Sequence, residues 1–182
     1  MHQKKYTWQG WQLGVLWVLA NTLGWSATGA LAEITPELNA TLGLVIVASA
    51  QWVVLRERVR AGGYYVLLTY IAGFVGSLLG VYAMRLLQVE QSSAVSMGWN
   101  VFLWAVDGAI VGAAQALLLR QWKLSPLAWI GASALAFALA SIPSQFVRVS
   151  LQNNSRLIAS TIFGLASGLV TGVMLWWISS RE

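Results

Sequence analysis

Long apolar runs separated by short polar or charged breaks dominate this chain. Crossing about 30 Å of hydrocarbon takes about 20 residues in an α-helix, and six such segments fall near residues 8 to 31, 38 to 55, 63 to 87, 97 to 119, 126 to 147 and 157 to 179. The runs are too long and too rich in Gly and Ala for barrel strands, which alternate apolar and polar at every second position. The expectation is an all-α integral membrane bundle of six transmembrane helices. No polar block long enough for a soluble domain interrupts the series, so residues 1–182 read as a single transmembrane domain.

The breaks between segments carry an orientation signal. Lys4, Lys5, Arg56, Arg58, Arg60, Arg120, Lys123 and Arg181 fall on one side, while Arg85, Arg148 and Arg156 fall on the other. Cytoplasmic loops are enriched in Lys and Arg, so the first side is expected to be cytoplasmic, with both termini. The +5 net charge is accounted for by these topology residues, and nucleic acid is not an expected partner. The basic start, apolar run and Ala30-Leu31-Ala32 resemble a secretory signal, but the first run is long enough to span and is read as a helix.

Polar residues recur at one level of the segments. The even segments align as Ala48-x-x-Gln51, Gly112-x-x-Gln115 and Gly168-x-x-Thr171; in the odd segments Trp17, Tyr65 and Trp129 precede Asn21, Thr69 and Ser133 by four residues. Three repeated helical hairpins, related by a pseudo-threefold axis, would produce this pattern.

Lipid is as apolar as leucine, so membrane helices associate where small residues let backbones approach. Gly164, Gly168 and Gly172 form such a row in the sixth segment, Gly108 and Gly112 in the fourth, Ala72, Gly76 and Gly80 in the third, and Ala128, Ala132, Ala136 and Ala140 in the fifth. Trp8, Trp11, Trp99, Trp122, Trp129, Trp176 and Trp177 lie near segment ends, where indoles anchor at the interface. Trp17, Trp25, Trp52 and Trp104 lie deeper and are candidates for lining a ligand or pigment pocket. Pro143 is expected to kink or end the fifth helix.

Composition changes the picture mainly by exclusion. Only 9% of residues are charged and 58% are apolar, whereas soluble domains are about a quarter charged. There is no cysteine, and the single histidine is His2, which leaves no thiolate nucleophile, no histidine base within a helix and no metal-ligand cluster. The lysines lie in tails and loops, so a retinal Schiff base is excluded, and a single central carboxylate excludes a two-aspartate protease site. The expected protein is not an enzyme, and no cofactor is specified.

That single carboxylate is Asp107. A charge at a helix centre costs about 2.5 to 3.5 kcal/mol on insertion scales and normally faces a partner or a cavity. At 100° per residue, Asn100, Asp107 and Gln115 fall within roughly 80° of one another, giving the fourth helix one polar stripe. Gln51, Asn21, Thr22, Thr69, Ser133 and Thr171 are candidate partners for it across the bundle. We expect Asp107 to be buried within hydrogen-bond reach of another polar side chain, with Gln51 and Gln115 the first candidates. This intramembrane polar site serves either as a clamp or as an ion, proton or ligand site.

Gln51-Trp52-Val53-Val54-Leu55-Arg56, repeated loosely as Gln115-Ala116-Leu117-Leu118-Leu119-Arg120 and followed by Tyr64-Tyr65 at the next helix, resembles a group of uncharacterised multi-pass proteins of photosynthetic bacteria. The resemblance implies a bacterial plasma or photosynthetic membrane and no activity. Two functional classes stay open: a non-catalytic accessory or binding module whose partners are a lipid, pigment or other small apolar ligand or partner membrane subunits, and a proton- or cation-linked transporter or channel using Asp107.

Overall fold

The computed structural model describes residues 10–57, 63–86, 94–119, 125–151 and 155–180, and these form six helices. They are α1 (Gly10–Ile34), α2 (Pro36–Leu55), α3 (Gly63–Leu86), α4 (Ala94–Leu119), α5 (Pro126–Ser150) and α6 (Arg156–Ser179). Five are long and apolar enough to cross a membrane; α2 carries the shorter apolar stretch Leu42–Leu55. Proline opens both α2 and α5, where its missing N–H is one that the first turn would leave unpaired.

Each helix packs on its neighbours in sequence, and α6 packs on α1, so the six close into a ring. The α1–α6 seam is the most extensive and the α2–α3 seam the least. Outward faces are oily: Leu19, Leu23, Leu78, Val81, Leu135, Leu169 and Val173 are all exposed. Large exposed apolar areas are unfavourable in water and natural against lipid chains, and the arrangement fits a multi-pass membrane protein.

The tight α1–α6 seam follows from residue size. A Cβ at Gly164 would lie 2.6 Å from the Asn21 carbonyl oxygen, and one at Gly172 would lie 2.9 Å from that of Gly14. Gly168 meets Val18 and Asn21 in the same row, and Gly108 and Gly112 meet Ser133 across the α4–α5 seam. On the opposite side of the α1–α6 seam, Gly14 faces Gly172 and Gly29 faces Arg156 and Leu157. Gly80 departs from the expectation: a Cβ there would meet nothing within 4 Å, so it packs against no helix.

Of the two outcomes expected at Pro143, the helix end does not occur: α5 runs through the proline to Ser150. Ser141 Oγ donates to the Ala138 carbonyl at 2.7 Å and Ser144 Oγ to that of Ser141 at 2.9 Å, so hydroxyls supplement the ladder around the proline. Membrane helices accommodate proline when nearby side chains re-engage backbone groups in this way.

One end of the bundle holds the densest core, built from Leu13, Trp17, Leu55, Tyr65, Ala116, Leu119, Trp129, Leu175 and Ile178. Trp129 belongs to this core with no exposed surface, which corrects its assignment as an interfacial anchor. Trp11, Trp176 and Trp177 are exposed, while Trp8 and Trp122 lie outside the described residues.

Candidate functional site

Buried polarity divides between two depths. At the level of the dense core, Gln51 of α2 is a hub. Its Nε2 donates to Asn21 Oδ1 of α1 at 2.9 Å, while its Oε1 accepts from Tyr65 Oη of α3 at 3.2 Å and from Gln115 Nε2 of α4 at 3.0 Å. Gln115 Oε1 in turn accepts from Trp129 Nε1 of α5 at 3.3 Å. Asn21 Nδ2 returns to the Trp17 carbonyl at 2.9 Å, and Trp17 Nε1 donates to Thr171 Oγ1 of α6 at 2.8 Å. All six helices contribute to this layer, and every side chain named is buried. The indoles of Trp17 and Trp129 meet edge to face, with centroids 6.0 Å apart.

Asp107 belongs to a different site. Eight residues separate it from Gln115, which at 1.5 Å per residue is about 12 Å along α4. It is 7% exposed, and its Oδ1 has no hydrogen-bond partner. The expected bond to Gln51 or Gln115 is not formed, because the two glutamines are engaged with each other one level away. Asp107 packs instead against α3 at Gly76, where a Cβ would overlap the carboxylate. Glycine at this position is what lets the acid fit between the helices.

From Asp107 a groove of about 480 Å³ opens between α3 and α4. Gly76, Ser77, Gly80 and Met84 line one wall, Asn100, Leu103 and Trp104 the other, and Arg85 lies at the α3 end. The lining is mostly apolar, with Asp107, Asn100, Ser77 and Arg85 as its polar points. Gly80, which packs on no helix, contributes open width.

The wall residue Trp104 also belongs to an aromatic cluster joining four helices. Its ring centroid is 4.7 Å from that of Phe163, which is 4.8 Å from Trp25 and 5.3 Å from Phe137. Of its members only Trp104 lines the groove.

The expected polar site therefore separates into two groups. Gln51, Gln115, Asn21 and Thr171 join the amide and indole layer; Asp107 and Asn100 line the groove. Thr69 is buried on α3 with its hydroxyl oxygen unpartnered, as is Ser133 on α5. Trp104, one of the deep tryptophans expected as candidate pocket walls, lines the groove, whereas Arg85 and the space at Gly80 were missed as groove elements. The sequence held one usable signal, the i, i+3 placement of Trp104 and Asp107 on one helix face; the space at Gly80 had none. Among the described residues no group of three His, Cys, Asp or Glu could hold a metal ion.

Comparison of the chain with protein-family models, with curated proteins and with solved structures finds no match.

Proposed function

We propose that this chain is a non-catalytic membrane module that binds an elongated, largely apolar small molecule, of the lipid or pigment kind, in the groove between α3 and α4. The observation that carries the reading is the groove itself: an apolar slot that ends on a buried carboxylate whose Oδ1 has no partner. A buried polar atom left unpaired costs about 1 to 3 kcal/mol, and a hydroxyl or amine on the ligand would remove that cost while its apolar body fills the slot. Most ligand sites are built this way, apolar with a few convergent polar groups.

The pairs Tyr65–Gln51, Trp129–Gln115 and Trp17–Thr171 support reading the scaffold as three repeated hairpins around a pseudo-threefold axis. The excess of basic residues at one set of loops supports placing both termini in the cytoplasm. Transport through the bundle is the weaker reading, because Trp17, Tyr65 and Trp129 are buried across the end opposite the groove.

The test uses Gly80→Leu, which extends a side chain into the groove from a position where a Cβ meets nothing within 4 Å. Protein purified in mild detergent is extracted and the bound small molecules are identified by mass spectrometry. The wild type is expected to retain a defined apolar compound near one per chain, with Gly80→Leu losing most of it at an unchanged melting temperature. Equal occupancy in both proteins, or none in the wild type, would rule out the groove as a binding site. Proton flux in proteoliposomes that disappears in Asp107→Asn would favour the transporter instead.

A further inference from the structure

A second cavity, separate from the groove except for the shared wall of Trp104, lies among α1, α4, α5 and α6. It has a volume of about 490 Å³, and Trp25, Thr28, Arg148, Arg156 and Ser160 line it. A small annex of about 30 Å³ continues it past Gln145 and Phe163.

The polar groups around this space are unbalanced. Arg148 makes no hydrogen bond or ion pair among the described residues, and Arg156 spends one guanidinium N–H on the Ala32 carbonyl at 3.0 Å. Trp25 Nε1 and Gln145 Nε2 are buried donors without partners. The Thr28 hydroxyl already donates to the carbonyls of Gly24 and Gly43 at 2.9 and 3.0 Å. The nearby acid Glu33 does not line the cavity, and its Oε1 accepts the Leu157 backbone N–H at 3.0 Å. Two guanidinium groups and the Trp25 indole thus line one cavity, with the second unpartnered donor, Gln145 Nε2, in the annex, and among the described residues no carboxylate lines either space.

We propose that this cavity is a binding site for an oxyanion, a phosphate or carboxylate group, with Arg148 and Arg156 as its principal ligands and Trp25 and Trp104 as walls for whatever carries the anion. Guanidinium is always charged, presents a fork of donors matched to such groups, and forms shorter and stronger bonds to them than neutral donors do. An anion would also neutralise two like charges held around a cavity beside a hydrocarbon interior, where charge is costly. Glu33 supports the arrangement indirectly: by capping α6 at Leu157 while Arg156 holds Ala32, it fixes the α1 end against the α6 start and so sets where the Arg156 guanidinium sits.

The anion can come from free phosphate or from a lipid headgroup, and the two are separable. Purified protein in neutral detergent is titrated with inorganic phosphate against sodium chloride of equal ionic strength, followed by calorimetry and melting temperature. In parallel, the protein is offered vesicles of phosphatidylcholine with or without phosphatidylglycerol, and retained lipid is read by native mass spectrometry. Saturable stabilisation by phosphate identifies a soluble anion; selective retention of phosphatidylglycerol without a phosphate effect identifies a headgroup. Either result supports the site if Arg148→Gln weakens it roughly tenfold or more while Arg148→Lys weakens it less. Arg148 bonds to nothing among the described residues, so Arg148→Gln is expected to fold normally, with circular dichroism as the check. The proposal is overturned if neither probe binds the wild type, or if binding is the same in Arg148→Gln and Arg156→Gln.

Discussion

The layer around Gln51 and the region around Asp107 treat buried polarity in opposite ways. In the first, amides, indoles and a phenol from α1 to α5 satisfy one another, and every aromatic member is buried. In the second, a carboxylate oxygen borders the groove between α3 and α4, and beyond Trp104 a separate cavity is bordered by an indole with an unpartnered N–H and by the Arg148 guanidinium, which bonds to nothing among the described residues. The contrast separates two roles that composition alone cannot. Polar groups that complete each other hold a bundle in one arrangement, while polar groups left incomplete beside a cavity are positioned for something that is not part of the chain.

The largest expected effect falls on the completed layer. Gln51→Leu removes the acceptor of Tyr65 Oη and Gln115 Nε2 and the donor to Asn21 Oδ1, leaving three buried polar atoms unpaired. Single interhelical hydrogen bonds in membrane proteins average about 0.6 kcal/mol, whereas a stranded buried group costs about 1 to 3 kcal/mol. With three stranded together and no space for water, the loss should be about 2 to 3 kcal/mol in a detergent unfolding titration. A loss below about 1 kcal/mol would mean the layer relaxes and the contrast between the two regions is weaker than drawn.

A smaller effect tests the fit of Asp107. Gly76→Ala places a methyl group where the carboxylate lies, so α3 and α4 must separate or the acid must turn into the groove, at a cost of about 1 to 2 kcal/mol. In an Asp107→Ala background the same change should cost markedly less, and the double-mutant cycle should return a coupling of about 1 kcal/mol. Independent effects would show that backbone contact, including that with the Asp107 Cα at 3.1 Å, governs the seam. Asp107→Ala alone should be close to neutral in stability, since its Oδ1 bonds to nothing.

The two regions were unequally legible in the sequence. The helices follow from run length and flanking breaks, and all six appear with ends shifted by a few residues; α5 runs through Pro143 to Ser150, with the Ser141 and Ser144 hydroxyls on nearby backbone carbonyls. The layer's members were visible as polar residues at repeated spacings, since an amide in an apolar helix must find a partner. Their partners were not, because Asp107 and Gln115 share a helix face and only packing shows that about 12 Å separates their sites. The cavities were hidden for a different reason. Gly80 belongs to the same Ala72, Gly76, Gly80 row that predicts close packing, and nothing in the row marks which member meets a neighbour and which borders a void. Arg148 and Arg156 read equally well as topology signals, and only their convergence around one space distinguishes them.

The smallest effect probes whether the completed layer is one network or two. Thr171 Oγ1 accepts from Trp17 Nε1 and donates to the Ser167 carbonyl at 2.7 Å, so it touches the amide chain only through Trp17, whose carbonyl receives Asn21. Thr171→Val therefore strands a single indole N–H, and the cost should stay near the membrane average of about 0.6 kcal/mol. Because the Trp17 carbonyl belongs to the backbone, the bond from Asn21 survives even if the indole shifts, and the damage should not spread to Gln51. Combining Thr171→Val with Gln51→Leu should accordingly give additive losses within about 0.5 kcal/mol. A clear excess would join α6 to the amide chain as one cooperative unit, whereas additivity leaves Gln51 as the hub for α1 through α5 and the Trp17–Thr171 pair as a separate tie across the α1–α6 seam.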